Sequence, residues 1–74
     1  MKTFGEILKE KREAKGWSVK RLSEKLYVTT TTIYHWESNA YLPSILYACD
    51  IADVFGCSLD ELCGRTQKGN SNGK

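Results

Sequence analysis

The sequence predicts an all-α domain, a compact bundle of five short helices, and three observations carry that prediction. Apolar residues recur at spacings of three and four, and no stretch shows the strict alternation of a strand. Hydroxyl-bearing capping residues and glycines punctuate those stretches at short intervals. The chain has 74 residues, which makes one domain, and a domain of that size removes only about 60% of its extended surface from water on folding. Short elements around one small core satisfy that constraint.

Thr3 and Glu6 have the spacing of a capping box, and Phe4, Ile7, Leu8 and the stem of Lys11 continue a helical stripe toward Ala14. Gly16 supplies the stop, and Trp17 reads as core. Ser18 is a good N-cap for a second helix with Val19, Leu22 and Leu26 on one face, ending in a tight junction at Tyr27 and Val28. The third helix starts at Thr29, whose hydroxyl can accept from a free N–H of the first turn, and Ile33 and Trp36 face inward. Ser38, Asn39 and Ala40 read as a turn, with Asn39 best suited to a left-handed conformation. Pro43 and Ser44 open a fourth helix, in which Ile45, Ala48, Cys49, Ile51, Ala52 and Phe55 supply a broad apolar surface up to the stop at Gly56. Ser58 and Glu61 repeat the capping-box spacing, and Leu59 and Leu62 anchor a last short helix. Residues 1–64 are therefore expected to form the folded domain. From Arg65 to Lys74 the chain is polar, glycine-rich and without periodicity, which predicts a flexible tail.

At 41% apolar and 27% charged residues, the chain is too hydrophobic to stay unfolded. No apolar run approaches a bilayer span and no leader pattern follows Lys2, so a cytoplasmic protein is expected. Cys49, Cys57 and Cys63 leave one thiol unpaired under any internal disulfide scheme, and their helical surroundings predict buried free thiols. The single histidine, His35, lies well away from them, so no metal site is expected. Without a Cys-His or Ser-His-Asp constellation or a glycine-rich phosphate loop, neither an enzyme, nor a cofactor, nor a small-molecule ligand is implied.

The net charge of +2 hides an asymmetry: residues 1–42 carry eight basic and five acidic side chains, whereas residues 43–64 carry four acidic and none basic. Such a division suits a molecule with one face toward an anion. Within the basic half sits VTTTTIYHWE, residues 28–37, with four successive threonines at the opening of a helix. Threonine is stiff at its first side-chain torsion and a middling helix former, so the run is a poor helix interior. Lysine, glutamate or alanine would build a better solvated helix, and none occurs between residues 29 and 36.

The segments SVKRLSEKLYVTTTTIYHWESNAYLPSI and IADVFGCSLDEL, together with the Trp36-Glu37 pair and Pro43-Ser44 beyond it, resemble the lambda-repressor and Cro-like (XRE) helix-turn-helix family across residues 4–64. That resemblance implies a sequence-specific double-stranded DNA-binding transcription regulator, most simply a repressor. Residues 18–26 would position the protein and residues 29–37 would enter the major groove. The base-reading positions then fall on Thr30, Thr31 and His35, with Thr29 and Tyr34 nearer the phosphates. Threonine offers a hydroxyl to base edges and a methyl to thymine, and the charge of an imidazole changes near neutral pH. Further backbone contacts are expected from Ser18, Lys20, Arg21, Lys25, Ser38, Asn39 and Ser44. The family also suggests that Arg12 pairs with Glu37.

Three positions depart from the family pattern: Val19 in place of a phosphate-contacting glutamine, Ser23 in place of alanine, and Tyr27 in place of the turn glycine. Few lysines lie near the expected groove, which points to two copies acting on a palindromic operator. The resemblance suggests a homodimer through the C-terminal helices, using Leu46, Tyr47, Val54, Cys57 and Cys63 with Tyr41 and Leu42 nearby. The alternative is an interaction module of the antitoxin type, with DNA contact secondary.

Overall fold

Every helix starts at a hydroxyl. In the computed structural model, which describes residues 2–64, the helices are α1 (Phe4–Ala14), α2 (Val19–Leu26), α3 (Thr30–Glu37), α4 (Ile45–Phe55) and α5 (Leu59–Leu62). Their N-caps are Thr3, Ser18, Thr29, Ser44 and Ser58, and each side chain accepts from the backbone N–H three residues on. Such caps satisfy donors that a helix leaves unpaired and contribute about 1 kcal/mol each. Thr3 and Glu6 complete the reciprocal capping box, whereas the carboxylate of Glu61 meets Lys11 Nζ on α1 at 2.6 Å. The segment from Arg65 to Lys74, expected to be a flexible tail, lies outside the described residues.

Ile7, Leu8, Leu22, Leu26, Ile33, Trp36, Ile51, Ala52 and Leu62 form the core, so all five helices contribute to it. Trp17 sits at the rim rather than inside: it is half-buried and stacks on Phe55 with ring centroids 5.5 Å apart. The broad apolar face expected of α4 is also corrected. Ile51 and Ala52 are buried, but Ile45 is 66% exposed and Cys49 is exposed. The cause is geometric: α4 packs on α2 and α5, and the core side chains it supplies, Ile51 and Ala52, lie in its second half. No helix among the described residues is long and apolar enough to cross a membrane.

The cysteines need a second correction. Cys49 and Cys63 are exposed and Cys57 is half-buried, where burial pushes its thiol pKa up. Nearby Lys11 opposes that shift and Glu61 adds to it. Since the thiolate is the reactive form, a thiol-reagent titration of the native protein should show Cys49 and Cys63 reacting quickly and Cys57 at least about tenfold more slowly. Equal rates at all three would contradict this packing.

The departures from the family pattern find local solutions. Ser23 is buried, and its hydroxyl donates to the Lys20 carbonyl at 2.7 Å, so no polar group is stranded. Val19 is half-buried and packs against the core. Tyr27 adopts φ 57° and ψ 43°, the left-handed conformation a glycine would supply, with its ring 93% exposed. Left-handed backbone costs a non-glycine residue about 1–2 kcal/mol, partly offset by the greater entropy glycine loses on folding. Tyr27→Gly should therefore raise stability by about 0.5–1 kcal/mol in chemical unfolding, and a loss would contradict the strain.

Candidate nucleic-acid interface

The threonine run divides into two pairs by geometry. Thr29 caps α3 by accepting from Thr32 N–H at 3.3 Å, and the hydroxyls of Thr29 and Thr32 lie 3.1 Å apart. Those two threonines hold the helix start together. Thr30 and Thr31 have no such duty; Thr31 is exposed and Thr30 half-buried. One turn further on, Tyr34 is 59% exposed and His35 half-buried. Spacings of four place Tyr34 over Thr30 and His35 over Thr31, which makes two short rows on the outer side. On the inner side Ile33 is fully buried and Trp36 is 4% exposed.

α3 is fixed to the scaffold mainly at its C-terminal end. Arg12 Nε donates to Glu37 Oε2 at 2.7 Å and Nη2 donates to Oε1 at 3.2 Å, while Nη1 donates to the Trp17 carbonyl at 2.9 Å. The two side chains are only 11% and 9% exposed. The hydrogen bond to Glu37 raises the Arg12 pKa above its ordinary value against the opposing effect of burial. This bidentate pair sets both direction and distance between α1 and α3.

A second clamp was not visible in the sequence. A Cβ on Gly5 would overlap the Glu37 carbonyl and lie 2.7 Å from the Trp36 carbonyl oxygen, so α1 touches the end of α3 backbone to backbone. Asn39, at φ 65°, closes the contact. Its Oδ1 accepts from Gly5 N–H and its Nδ2 donates to Thr3 Oγ1, both at 3.0 Å.

The remaining positions expected at the backbone are spread over other elements. Lys20 and Arg21 are exposed in the first turn of α2, with Lys20 only 3.9 Å from Glu24 in a surface pair. Ser18 and Ser44 act as caps, accepting from Arg21 and Tyr47 N–H, and Ser38 donates to the His35 carbonyl at 3.2 Å. Lys25 is drawn over the Trp17 ring, 4.7 Å from its centroid, and Asn39 is engaged by α1 as described. One residue beside the site had been read only as part of an association face: Tyr41 packs edge-on against His35, with ring centroids 4.8 Å apart. Both Ala40 and Tyr41 N–H donate to the His35 carbonyl, which folds the turn back onto the helix end.

A short capped helix lies over α2, its outer face polar and its inner face locked, and residues 8–62 match the helix-turn-helix family over that whole arrangement. The chain belongs to the helix-turn-helix family. Its architecture is of the lambda-repressor type, and the all-helical fold agrees with that reading. Among curated proteins, this helix-turn-helix chain is 36% identical over 59 residues to the HTH-type transcriptional activator BcrR of Enterococcus faecalis. That match covers 80% of this chain and 29% of BcrR, so the chain spans under a third of that relative. Among solved structures, SinR, described as the master regulator for biofilm formation and seen in complex with DNA, superposes with a TM-score of 0.74 at 30% identity. It covers 81% of this chain and 97% of the SinR chain. SinR has also been solved as a complex with the SinI protein, with 59% of that chain covered. A transcriptional regulator from Listeria innocua reaches a TM-score of 0.80 at 28% identity, covering 95% of this chain and 65% of that one. BcrR, SinR and the Listeria protein are all regulators by name.

Proposed function

We propose that this helix-turn-helix protein is a sequence-specific double-stranded DNA-binding transcription regulator that reads the major groove with α3. The observation that carries the reading is the division of α3: Ile33 and Trp36 are buried, while Thr30, Thr31, Tyr34 and His35 occupy the other side. A helix that presents short polar side chains at its leading end, with its base fixed, meets the geometric requirement for groove entry. The complex of SinR with DNA supports it.

Thr30, Thr31 and His35 read bases in this proposal, and Thr29 and Tyr34 flank them. Ser18, Lys20, Arg21, Ser38 and Ser44 serve phosphates, with Lys25 and Asn39 joining only if they leave their present partners. The binding unit is two copies on a palindromic operator in the cytoplasm. We read the outcome as repression by occupancy of a promoter; a reporter fused to the selected operator tests it, since increased expression on adding the protein would make it an activator, as BcrR is named.

Selection from random duplex DNA, followed by salt titration of the winner against a scrambled duplex, tests the function. An enriched palindrome supports it, and equal affinity for every duplex contradicts it. Thr31→Ala should relax base preference at one position by about fivefold, on the order of 1 kcal/mol. Lys20→Ala should weaken all sequences alike and reduce the slope of log affinity against log salt by about one unit. The complex of SinR with SinI favours a second reading, a module whose main partner is another protein. Uniform weak binding to DNA would shift weight to it.

A further inference from the structure

We propose that Tyr41, which lies beyond α3, is the positioning residue for His35: it holds the imidazole in the orientation from which that ring reads a base. The proposal rests on the DNA-binding reading for its consequence on the operator, though not for the contact between the two rings. Their centroids lie 4.8 Å apart with planes at 85°, the edge-to-face arrangement that aromatic pairs prefer because ring edges are positive and ring faces negative. Such a contact favours one setting of the pair.

The turn after α3 brings Tyr41 to this place through bonds that end on His35 itself. The His35 carbonyl accepts from Ala40 N–H at 2.9 Å, from Tyr41 N–H at 3.4 Å and from the Ser38 hydroxyl at 3.2 Å. Within the same turn Asn39 holds its left-handed conformation, and its amide is bonded to α1 at Gly5 N–H and Thr3 Oγ1. Tyr41 therefore meets the imidazole from a braced platform.

His35 needs that support. It is half-buried on the outer side of α3, its row on that helix begins with the short, exposed Thr31, and among the described residues Tyr41 supplies the one ring packed on it. Tyr41 is itself 62% exposed, so its ring adds little to the core. A neutral imidazole has a donor on one nitrogen and an acceptor on the other, so turning the ring over exchanges what a base edge meets. A ring held in one orientation presents one of the two, whereas a free ring must be ordered on binding, at a cost in affinity for the correct base.

Two measurements test this. In the labelled protein without DNA, nuclear Overhauser contacts between the rings of residues 35 and 41 should be present in the parent and in Tyr41→Phe. In Tyr41→Ala the ring-current shifts of the His35 ring protons should be lost. With DNA, affinity is measured for the selected duplex and for its single-base-pair variants, and His35→Ala marks the base pair that His35 reads. Tyr41→Ala should lower discrimination at that base pair by about two- to tenfold, and Tyr41→Phe should restore it. Both variants should keep the melting temperature and the salt slope of the parent, and Tyr41→Ala should add nothing in a His35→Ala background. Weakening of every duplex alike by Tyr41→Phe would make the phenol a phosphate contact and overturn the proposal. So would a loss from Tyr41→Ala that persists undiminished without His35. If His35→Ala changes a base preference and Tyr41→Ala does not, the proposal alone fails; if His35→Ala changes none, the reading of bases by His35 fails and the proposal with it.

Discussion

Glu37→Ala should lower folding stability by about 3–5 kcal/mol, the typical loss when one partner of a buried ion pair is removed. Arg12 would keep only the Trp17 carbonyl as acceptor while its charge stays buried. For a domain of this size each kcal/mol corresponds to about 4–8 °C in Tm, so the variant should melt more than about 12 °C lower. Thermal unfolding followed by circular dichroism measures it, and a change under 1 kcal/mol would show that the pair is not held as described. The pair also has a direction in pH. Because the folded-state pKa of Arg12 lies above its unfolded value, its contribution is fully present below the free guanidinium's range. It is lost only as pH rises through the folded value. Stability from this pair should thus stay level across the ordinary alkaline range.

Gly5→Ala should be the second most damaging change, and its sign is opposite to propensity. Alanine in place of a helical glycine ordinarily gains about 1 kcal/mol. Here the added Cβ meets the carbonyls of Trp36 and Glu37, which are backbone and cannot rotate away. Overpacking of this kind costs about 1–3 kcal/mol or more, and relief requires α1 and α3 to separate. The hydrogen bond from Gly5 N–H to Asn39 would lengthen with it. Chemical unfolding should show a net loss of about 1–3 kcal/mol. Sequence discrimination should fall further than nonspecific affinity does, because α3 would sit at a different angle in the groove. A gain in stability would remove the close approach from the account.

The five helix starts were legible because each is a hydroxyl residue followed by a helical stripe, and the cap needs no information from elsewhere in the chain. The inner side of α3 was legible for the same reason, since Ile33 and Trp36 are three apart. Cys49 was misread as buried, and Ile45, assigned to the apolar face of α4, is exposed, because an apolar spacing marks a face able to pack and only the placement of the neighbouring helices decides whether it does. Asn39 shows a different limit. Its left-handed backbone follows from its residue type, but its side-chain partners lie on α1, at Thr3 and Gly5, where no local pattern points. Tyr27 was visible as a conflict with the turn, and the structure resolves it by keeping the left-handed geometry and leaving the ring in solvent. In the interface itself, pattern separated α3 from the scaffold, whereas the division of labour among the four threonines depended on which hydroxyls meet at the helix start.

Amide chemical-shift mapping of the labelled protein with its selected duplex asks most directly whether the outer side of α3 enters the groove. The account predicts the largest changes from Thr29 to His35 and at the first turn of α2, with small ones along α5. Changes confined to α4 and α5, with α3 unmoved at saturating duplex, would contradict it.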